Sequence, residues 1–327
     1  MSISVVIATF NRARLLAECL EHLARQSFLD GDEVLVVDNG STDETRSIVA
    51  AAAVHSPVPL RYLFEPVPGK SAALARGLDM AAGDILAFCD DDVNVAPTWL
   101  SAIRETMADP QVALMGGPVA ARWERVPPSW LLGIANGRGR LASPLALLNY
   151  GPGVVELGPR TVLGANMATR RQVVARIGGF APHLGKLRGT LLTGEDHDFC
   201  RRAQQAGLRA IYQPTAIVYH WIPAERMRLA YYISWFYWAG VTHAALDHGQ
   251  AMGRSIFGVP LYLIRRAATS TVGAATSALT GNAGEAVERL VDVAFSVGYV
   301  ARRWHRPHVP GVARMSPPAL TARGDRV

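Results

Sequence analysis

The chain has 327 residues, half of them hydrophobic, which suits one large domain, or one domain with an appendage. Its three cysteines, Cys19, Cys89 and Cys200, are far apart in apolar or amphipathic stretches; they read as buried free thiols in a reducing compartment and exclude a disulfide frame or a zinc site. The net charge of +6 is uneven: residues 1–220 balance 21 basic against 21 acidic residues, whereas 221–327 hold 12 arginines against 6 acids. That pattern favours an anionic membrane surface or a phosphorylated lipid, while no helix-turn-helix, zinc-finger or stacking-sheet pattern points to nucleic acid.

In chain order, Ser4–Ala8 predicts a strand, so no signal peptide is expected ahead of it. Arg12–Gln26 has helical spacing, Glu33–Val37 is a strand, and Ser41-Thr42-Asp43-Glu44 has the form of a capping box opening a helix through Ala53. Leu60–Phe64 (strand), Lys70–Ala82 (helix), Ile85–Cys89 (strand) and Pro97–Met107 (helix) continue the alternation. Such alternation implies right-handed βαβ units, and hence an α/β fold with a mostly parallel sheet flanked by helices. Residues 116–160, rich in Gly and Pro, read as an irregular excursion over the site; Thr161–Leu163 and Arg209–Tyr212 read as strands, and Asp196–Ala206 as a helix stopped by Gly207. Leu229–Leu246 is an uncharged aromatic stretch of 18 residues, the lower edge of spanning length, whose Tyr, Trp, Ser, Thr and His content suits an interfacial or buried helix. Residues 285–304 read as an amphipathic helix.

The richest chemistry lies at Asp90-Asp91-Asp92, directly after the apolar run Ile85–Cys89. A short continuous apolar run is a buried parallel strand, and ligands of open α/β sheets bind at the carboxyl ends of strands. Three acids there repel one another and are costly to dehydrate, a cost that a divalent cation offsets. In an extended segment Asp90 and Asp92 point one way and Asp91 the other. Asp38, ending the second strand before Asn39-Gly40, can accept the imide N–H of a uracil ring, and it also suits a turn. Lys70, one of two lysines, follows Pro68-Gly69 at a helix start and suits a diphosphate as well as a solvated helix end. Asp198 in a first helical turn suits capping. His220 ends the run AIVYH, where both a core histidine and a metal ligand or phosphate donor are open.

Four segments in this order, SVVIATFNR (4–12), VVDNGSTDET (36–45), GKSAALARGLDMAAGDILAFCDDDV (69–93) and TGEDHDFCRRAQQAGL (193–208), resemble a family-2 glycosyltransferase of the GT-A fold; GANMATRR (164–171) sits at the family's acceptor-side loop. The resemblance covers roughly residues 3–245. It implies a catalytic unit over 1–223, with a nucleotide-binding half (1–115) and an acceptor-side half (116–223); the change of character from Ala224 marks a membrane-associating helical extension (224–306), and the Pro- and Arg-rich end reads as a disordered tail (307–327). It implies Mg²⁺ or Mn²⁺ held by Asp92 and Asp90, with His220 as a further ligand. Thr9, Asp38, Lys70, Asp90, Asp91, Asn166 and Glu195 fall at nucleotide-sugar-binding positions, and Asp196 at that of the catalytic base. The expected reaction is inverting, metal-dependent sugar transfer, from a nucleotide diphosphate-sugar, a uridine one by Asp38, to a glycan or lipid-linked hydroxyl in cell-surface polysaccharide or glycolipid synthesis. The expected setting is cytoplasmic, peripheral at the inner face of an anionic membrane.

Two departures from the family pattern are Asn39, where relatives often carry a second Asp, and Ala75, where many carry Asn. A sugar nucleotidyltransferase would want a Gly-rich loop after the first strand, where this chain has Thr9-Phe10-Asn11-Arg12. A processive synthase would carry Gln-x-x-Arg-Trp, but Val300 precedes Arg303-Trp304 at the Gln position. Against a non-catalytic sugar- or lipid-binding relative stands the joint retention of Asp38, Asp90, Asp92 and Asp196.

Overall fold

The computed structural model describes residues 1–132, 137, 139–181, 184, 194–246 and 254–305. Thr193 of the TGED run and the expected tail at 307–327 lie outside the described residues.

The first half alternates as the apolar runs require: β1 (Ile3–Thr9), α1 (Ala13–Ala24), β2 (Glu33–Asp38), α2 (Thr45–Val54), β3 (Leu60–Phe64), α3 (Lys70–Met80), β4 (Ile85–Cys89), β5 (Val93–Val95) and α4 (Trp99–Met107). There follow β6 (Val112–Gly116), β7 (Val119–Trp123), α5 (Ser129–Leu132), a 3₁₀ helix over Arg140–Leu145, β8 (Val155–Glu156), β9 (Asn166–Arg170) and α6 (Arg171–Ile177). After α7 (Glu195–Gln205), β10 (Arg209–Tyr212) and β11 (Val218–Ile222) come α8 (Leu229–Leu246), the hairpin β12 (Ser255–Ile256) and β13 (Val259–Pro260), α9 (Leu261–Leu279) and α10 (Ala283–His305).

The main sheet has eight strands in the order β3-β2-β1-β4-β9-β6-β10-β8. β1, β2, β3 and β4 run parallel, as do β6 and β10, whereas β9 inserts antiparallel between β4 and β6. β1, β2 and β4 are buried almost throughout, which is why they read as unbroken apolar runs. One face packs under α1, α2 and α4 around Leu16, Val36 and Trp99; the other packs under α3, α6 and α7 around Phe88, Phe180 and Phe199. A second sheet, β5-β11-β7, pairs β11 antiparallel with β5 and parallel with β7.

Several local expectations change. Thr161–Leu163 is not a strand; the strand of this region is β9. The excursion at 116–160 contains β7, β8 and the 3₁₀ helix, because its apolar residues have a core of their own to enter. The capping box at Ser41 does not form: α2 starts at Thr45, Asp43 accepts from the Thr45 hydroxyl at 2.6 Å, and the Ser41 hydroxyl accepts from Asn11 N–H.

No helix among the described residues is long and apolar enough to cross a membrane. The uncharged stretch at 229–246 is α8, which packs along α10 instead. Gly240 and Gly298 make this crossing close: a Cβ on Gly240 would stand 2.0 Å from Phe295 O, and one on Gly298 1.9 Å from Tyr237 O. Tyr232 and Phe236 of α8 share a core with Leu131 of α5, Leu141 and Leu145 of the 3₁₀ helix, and Val287 and Val291 of α10. Asp292 of α10 adds a polar clasp, accepting from Arg140, from Arg266 and, at 3.1 Å, from the Ser270 hydroxyl.

Candidate active site

The aspartate triplet leaves the end of β4 in a turn that leads into β5. Because this segment turns, the alternation expected of an extended chain does not hold. Asp90 faces Lys70, and Asp91 and Asp92 instead share Arg12, whose Nη1 donates to Asp91 Oδ1 at 2.8 Å and to Asp92 Oδ2 at 2.7 Å. Thr9, at the end of β1, donates its hydroxyl to Asp91 Oδ2 at 2.8 Å. Both Asp91 oxygens are thus taken by protein donors. Burial pushes the Asp91 carboxyl up despite Arg12.

Arg12 is the last residue of the quoted strand-end motif and was given no role by the sequence. The signal was the triplet itself, since buried like charges require counter-charge from somewhere. Burial pulls the guanidinium down, but Asp91 and Asp92 outweigh it and hold Arg12 charged.

The β5–β11 pairing opposes Val93 to His220, and Trp221 N–H donates to Asp92 O at 2.9 Å, so a histidine far along the chain arrives beside the triplet. His220 Nδ1 lies 2.8 Å from Leu145 O. A carbonyl only accepts, so Nδ1 carries a proton and Nε2 is the ring nitrogen turned toward Asp92. That nitrogen stands 3.4 Å from Asp92 Oδ1 and 3.4 Å from Arg226 Nη1. Asp92 Oδ1 is itself buried with no hydrogen-bond donor. Burial opposes charge on Asp92, yet His220, Arg12 and Arg226 keep its carboxyl well below the usual range. Two adjacent electron-pair donors, one carboxylate and one imidazole, suit a hard divalent cation. Among the described residues no three His, Cys, Asp or Glu side chains close round a metal. A cation at Asp92 and His220 would therefore complete its shell with phosphate oxygens and water.

Lys70 opens α3 and joins the two halves of the site. Its Nζ lies 2.5 Å from Asp90 Oδ1 and 3.7 Å from Glu195 Oε1. Burial works against its charge, but Asp90 and Glu195 prevail and raise it above an ordinary lysine. The loop before Lys70 is fixed by Asn39, whose amide donates to Glu65 O at 3.1 Å and Val67 O at 2.7 Å while its Oδ1 accepts from Gly69 N–H at 2.7 Å. An aspartate could not donate to the two carbonyls, so the family departure at Asn39 has a physical reason here. Asp38, beside it, accepts from Ser41 N–H at 2.8 Å and from the Tyr62 hydroxyl at 2.7 Å. Burial and Asp38 push the Tyr62 phenol up to about 12.

On the far side, Glu195 and Asp196 begin α7. Burial and Asp196 push Glu195 up against the pull of Lys70. Asp196 Oδ2 accepts from Gly164 N–H at 2.9 Å; Oδ1 accepts from His197 N–H at 2.8 Å and lies 3.1 Å from His197 Nδ1. Burial disfavours its charge, but His197, Gly164 and Lys70 more than compensate, so Asp196 is ionised. Asp198 does not cap the helix; it pairs forward with Arg201 and Arg202 at 3.1 and 2.8 Å. Asp196 lines a cleft of about 1060 Å³ together with His197, Tyr150, Arg160, Trp235 and His243, so α8 forms part of its wall.

Asn166 is not brought to this site. It lies in the core of the sheet, accepting from Trp99 Nε1 at 2.9 Å and donating to Pro118 O and Ala216 O at 2.9 and 2.7 Å. Every polar atom of its amide is engaged in joining β9 to α4 and to the loops before β7 and β11.

Comparison with known proteins gives the family and the fold. The model of the family described as Glycosyl transferase family 2 matches residues 4–174, more than half of the chain. The chain belongs to glycosyl transferase family 2. Among family relatives, the Succinoglycan biosynthesis protein ExoM of Rhizobium meliloti (strain 1021) is 30% identical over 256 residues, covering 77% of each chain. The Glucosyl-dolichyl phosphate glucuronosyltransferase of Haloferax volcanii is 25% identical over 258 residues, 76% of this chain and 78% of that one. Among solved structures, the Mannosyltransferase PcManGT from Pyrobaculum calidifontis, in complex with GDP-Man and Mn²⁺, superposes with a TM-score of 0.63 at 22% identity, over 93% of this chain and 87% of the other, which establishes the GT-A fold. This family-2 protein is a glycosyltransferase.

Proposed function

We propose that this glycosyltransferase moves a sugar from a nucleotide diphosphate, a uridine one, to a hydroxyl of a glycan or lipid-linked acceptor, with inversion at the anomeric carbon. The observation that carries the reading is the position of Asp196: an ionised carboxylate on the cleft wall, one residue from Glu195, which Lys70 links to Asp90 at the β4 strand end. Asp196 removes the proton of the acceptor hydroxyl as that oxygen attacks the anomeric carbon; the bond to the diphosphate breaks on the opposite face, so the centre inverts. The depressed pKa of Asp196 keeps it ionised, at a cost in basicity. Lys70 and Arg12 contribute fixed positive charge on the diphosphate side.

Asp92 and His220, with Asp90 nearby, would hold Mg²⁺ or Mn²⁺. Such an ion supplies positive charge to the departing diphosphate. Thr9, Asp38 and Glu195 are assigned to donor binding, with Asp38 accepting from the base. Asp91 stays with them, since its oxygens, like those of Asp38, keep lone pairs beyond the protein donors they already accept from; Asn166 is withdrawn from direct contact, because every polar atom of its amide is engaged within the protein. Roles in polysaccharide or glycolipid synthesis are supported by the names of the relatives, one a succinoglycan protein and one acting on a dolichyl phosphate. The concentration of positive charge in residues 221–327 supports a peripheral place on the inner face of an anionic membrane.

The deciding experiment is a screen of nucleotide sugars by thermal shift with Mn²⁺, followed by NMR of the product's anomeric configuration. A uridine diphosphate-sugar at a hundredfold excess over Kd should stabilise the fold by about 2.7 kcal/mol. Stabilisation by guanosine diphosphate-sugars alone would reject the uridine assignment, and a retained anomeric configuration would reject direct displacement.

A further inference from the structure

The β12–β13 hairpin turns through Phe257 and Gly258, whose φ angles are +47° and +76°. A two-residue turn with both φ positive is the natural place for Asn or Gly, and a bulky residue there is strained. This chain places phenylalanine at the position and leaves it 83% exposed, with Ile256 beside it 49% exposed. Neither the strain nor the exposure helps the fold.

The surroundings extend the pattern. Trp304, itself 55% exposed, donates Nε1–H to Phe257 O at 3.2 Å, and Tyr262 and Ile264 are exposed on the first turn of α9. Val272 and Leu279 continue the apolar exposure along α9, within roughly 100° of Tyr262 around the helix. Arg254, whose carbonyl accepts from Leu261 N–H, and Arg265 are exposed beside the hairpin. Residues 254–284 contain three arginines and no acid. Exposed aromatic and aliphatic tips rimmed by arginine match a lipid interface with anionic headgroups better than a protein partner, which would leave this cationic rim in need of acids.

We propose that the hairpin tip, the first turn of α9 and Trp304 form the membrane-docking surface of this enzyme, its occupant an anionic lipid bilayer. Phe257 and Ile256 enter the boundary between headgroups and acyl chains, while Arg254 and Arg265 meet the headgroups. The proposal rests on the membrane attachment proposed above and gives it a location. It also gives the attachment a geometry. Val259 and Leu263 pack with Ala244 and Tyr299, and Ala244 directly follows Thr242 and His243, which line the cleft of Asp196. The docking tip is therefore braced on the helix that walls the cleft.

The test is co-sedimentation of the full chain with phosphatidylcholine vesicles, with and without phosphatidylglycerol. Wild type should bind the anionic vesicles and release as salt rises. Phe257→Gly removes the apolar tip and the strain together, so binding should fall about tenfold or more while thermal stability holds or improves. Phe257→Trp should bind as wild type does. Arg254→Gln with Arg265→Gln should weaken binding at low salt and match wild type at high salt. Wild-type binding by Phe257→Gly would overturn the location while leaving attachment standing. Failure of wild type to bind any vesicle would overturn attachment, and donor hydrolysis, measured in parallel without lipid, reports the transferase reading separately. A dimer in analytical ultracentrifugation that Phe257→Gly dissolves would assign the surface to a second copy and overturn the proposal.

Discussion

Lys70 and Asp90 meet at 2.5 Å, an ion pair between the first residue of α3 and the end of β4. The same ammonium reaches Glu195 at 3.7 Å, so one side chain offsets carboxylates from both halves of the site. Lys70→Met should weaken nucleotide diphosphate binding by about tenfold, as expected for a lost charge-assisted contact. Lys70→Arg should recover part of the loss. Isothermal calorimetry with donor nucleotide, without acceptor, checks both.

Asp196→Asn should preserve folding and donor affinity while lowering kcat by about 10²–10⁴-fold. Asp198→Asn should cost far less, because Asp198 spends its carboxylate on Arg201 and Arg202. Since the Asp196 carboxyl is held below the usual range, its protonation should not set an acid limb of kcat at ordinary carboxylate pH. Steady-state kinetics of both variants over pH decides; near-wild-type kcat for Asp196→Asn would transfer the role to Glu195.

Chelation should abolish transfer, and Mn²⁺ or Mg²⁺ should restore it. Asp92→Asn and His220→Gln should each weaken Mn²⁺ binding about tenfold or more in the presence of nucleotide diphosphate. Free Mn²⁺ can be followed by electron paramagnetic resonance during titration. Full turnover in excess chelator would count against the assignment.

The nucleotide-binding half was legible in the sequence because β1, β2 and β4 are buried on both faces. Ile85–Cys89 has the bounds its apolar run predicts, and the half-buried edge strand Leu60–Phe64 also has its expected bounds. β9 escaped notice because Asn-Met-Ala-Thr-Arg has no such run; it is a strand because β4 and β6 both offer it an edge. The pairing of β5 with β11 is equally nonlocal, so apolar runs and spacing could not bring His220 to Asp92, and only the family resemblance placed the two together. Arg12 went unassigned because the sequence showed the acids together but not the cation folded against them. The 116–160 segment misled for another reason: its order depends on a core it shares with α8 and α10, which lie far beyond it along the chain.

Gly298→Ala places a methyl group where only backbone fits, 1.9 Å from Tyr237 O. Overpacking of this kind costs about 1–3 kcal/mol, more than the helix-propensity gain of about 1 kcal/mol on leaving glycine. A lowered Tm in calorimetry is the expected result, with Gly240→Ala behaving likewise.

Asp292→Asn should cost about 1–2 kcal/mol at neutral pH, because charge-assisted bonds from Arg140 and Arg266 are lost and both arginines are partly solvated. Burial opposes charge on Asp292, but the two arginines hold its carboxyl below the usual range. A depressed folded-state value means that the stabilisation is present above the unfolded carboxylate value and is lost as pH falls through the folded one. Wild type and variant should therefore converge in stability in acid, as followed by denaturant unfolding across pH.

The hydrogen bond from His220 to Leu145 O reaches further than its length suggests. Leu145 belongs to the 3₁₀ helix that Arg140 fastens to Asp292, and that helix shares its core with α8 and α10. The orientation of a histidine beside the triplet thus answers to side chains near the C-terminal end of the chain. A chimera that exchanged the last three helices between two such enzymes as a cassette would disturb metal affinity as well as acceptor choice, unless residues 139–147 travelled with them.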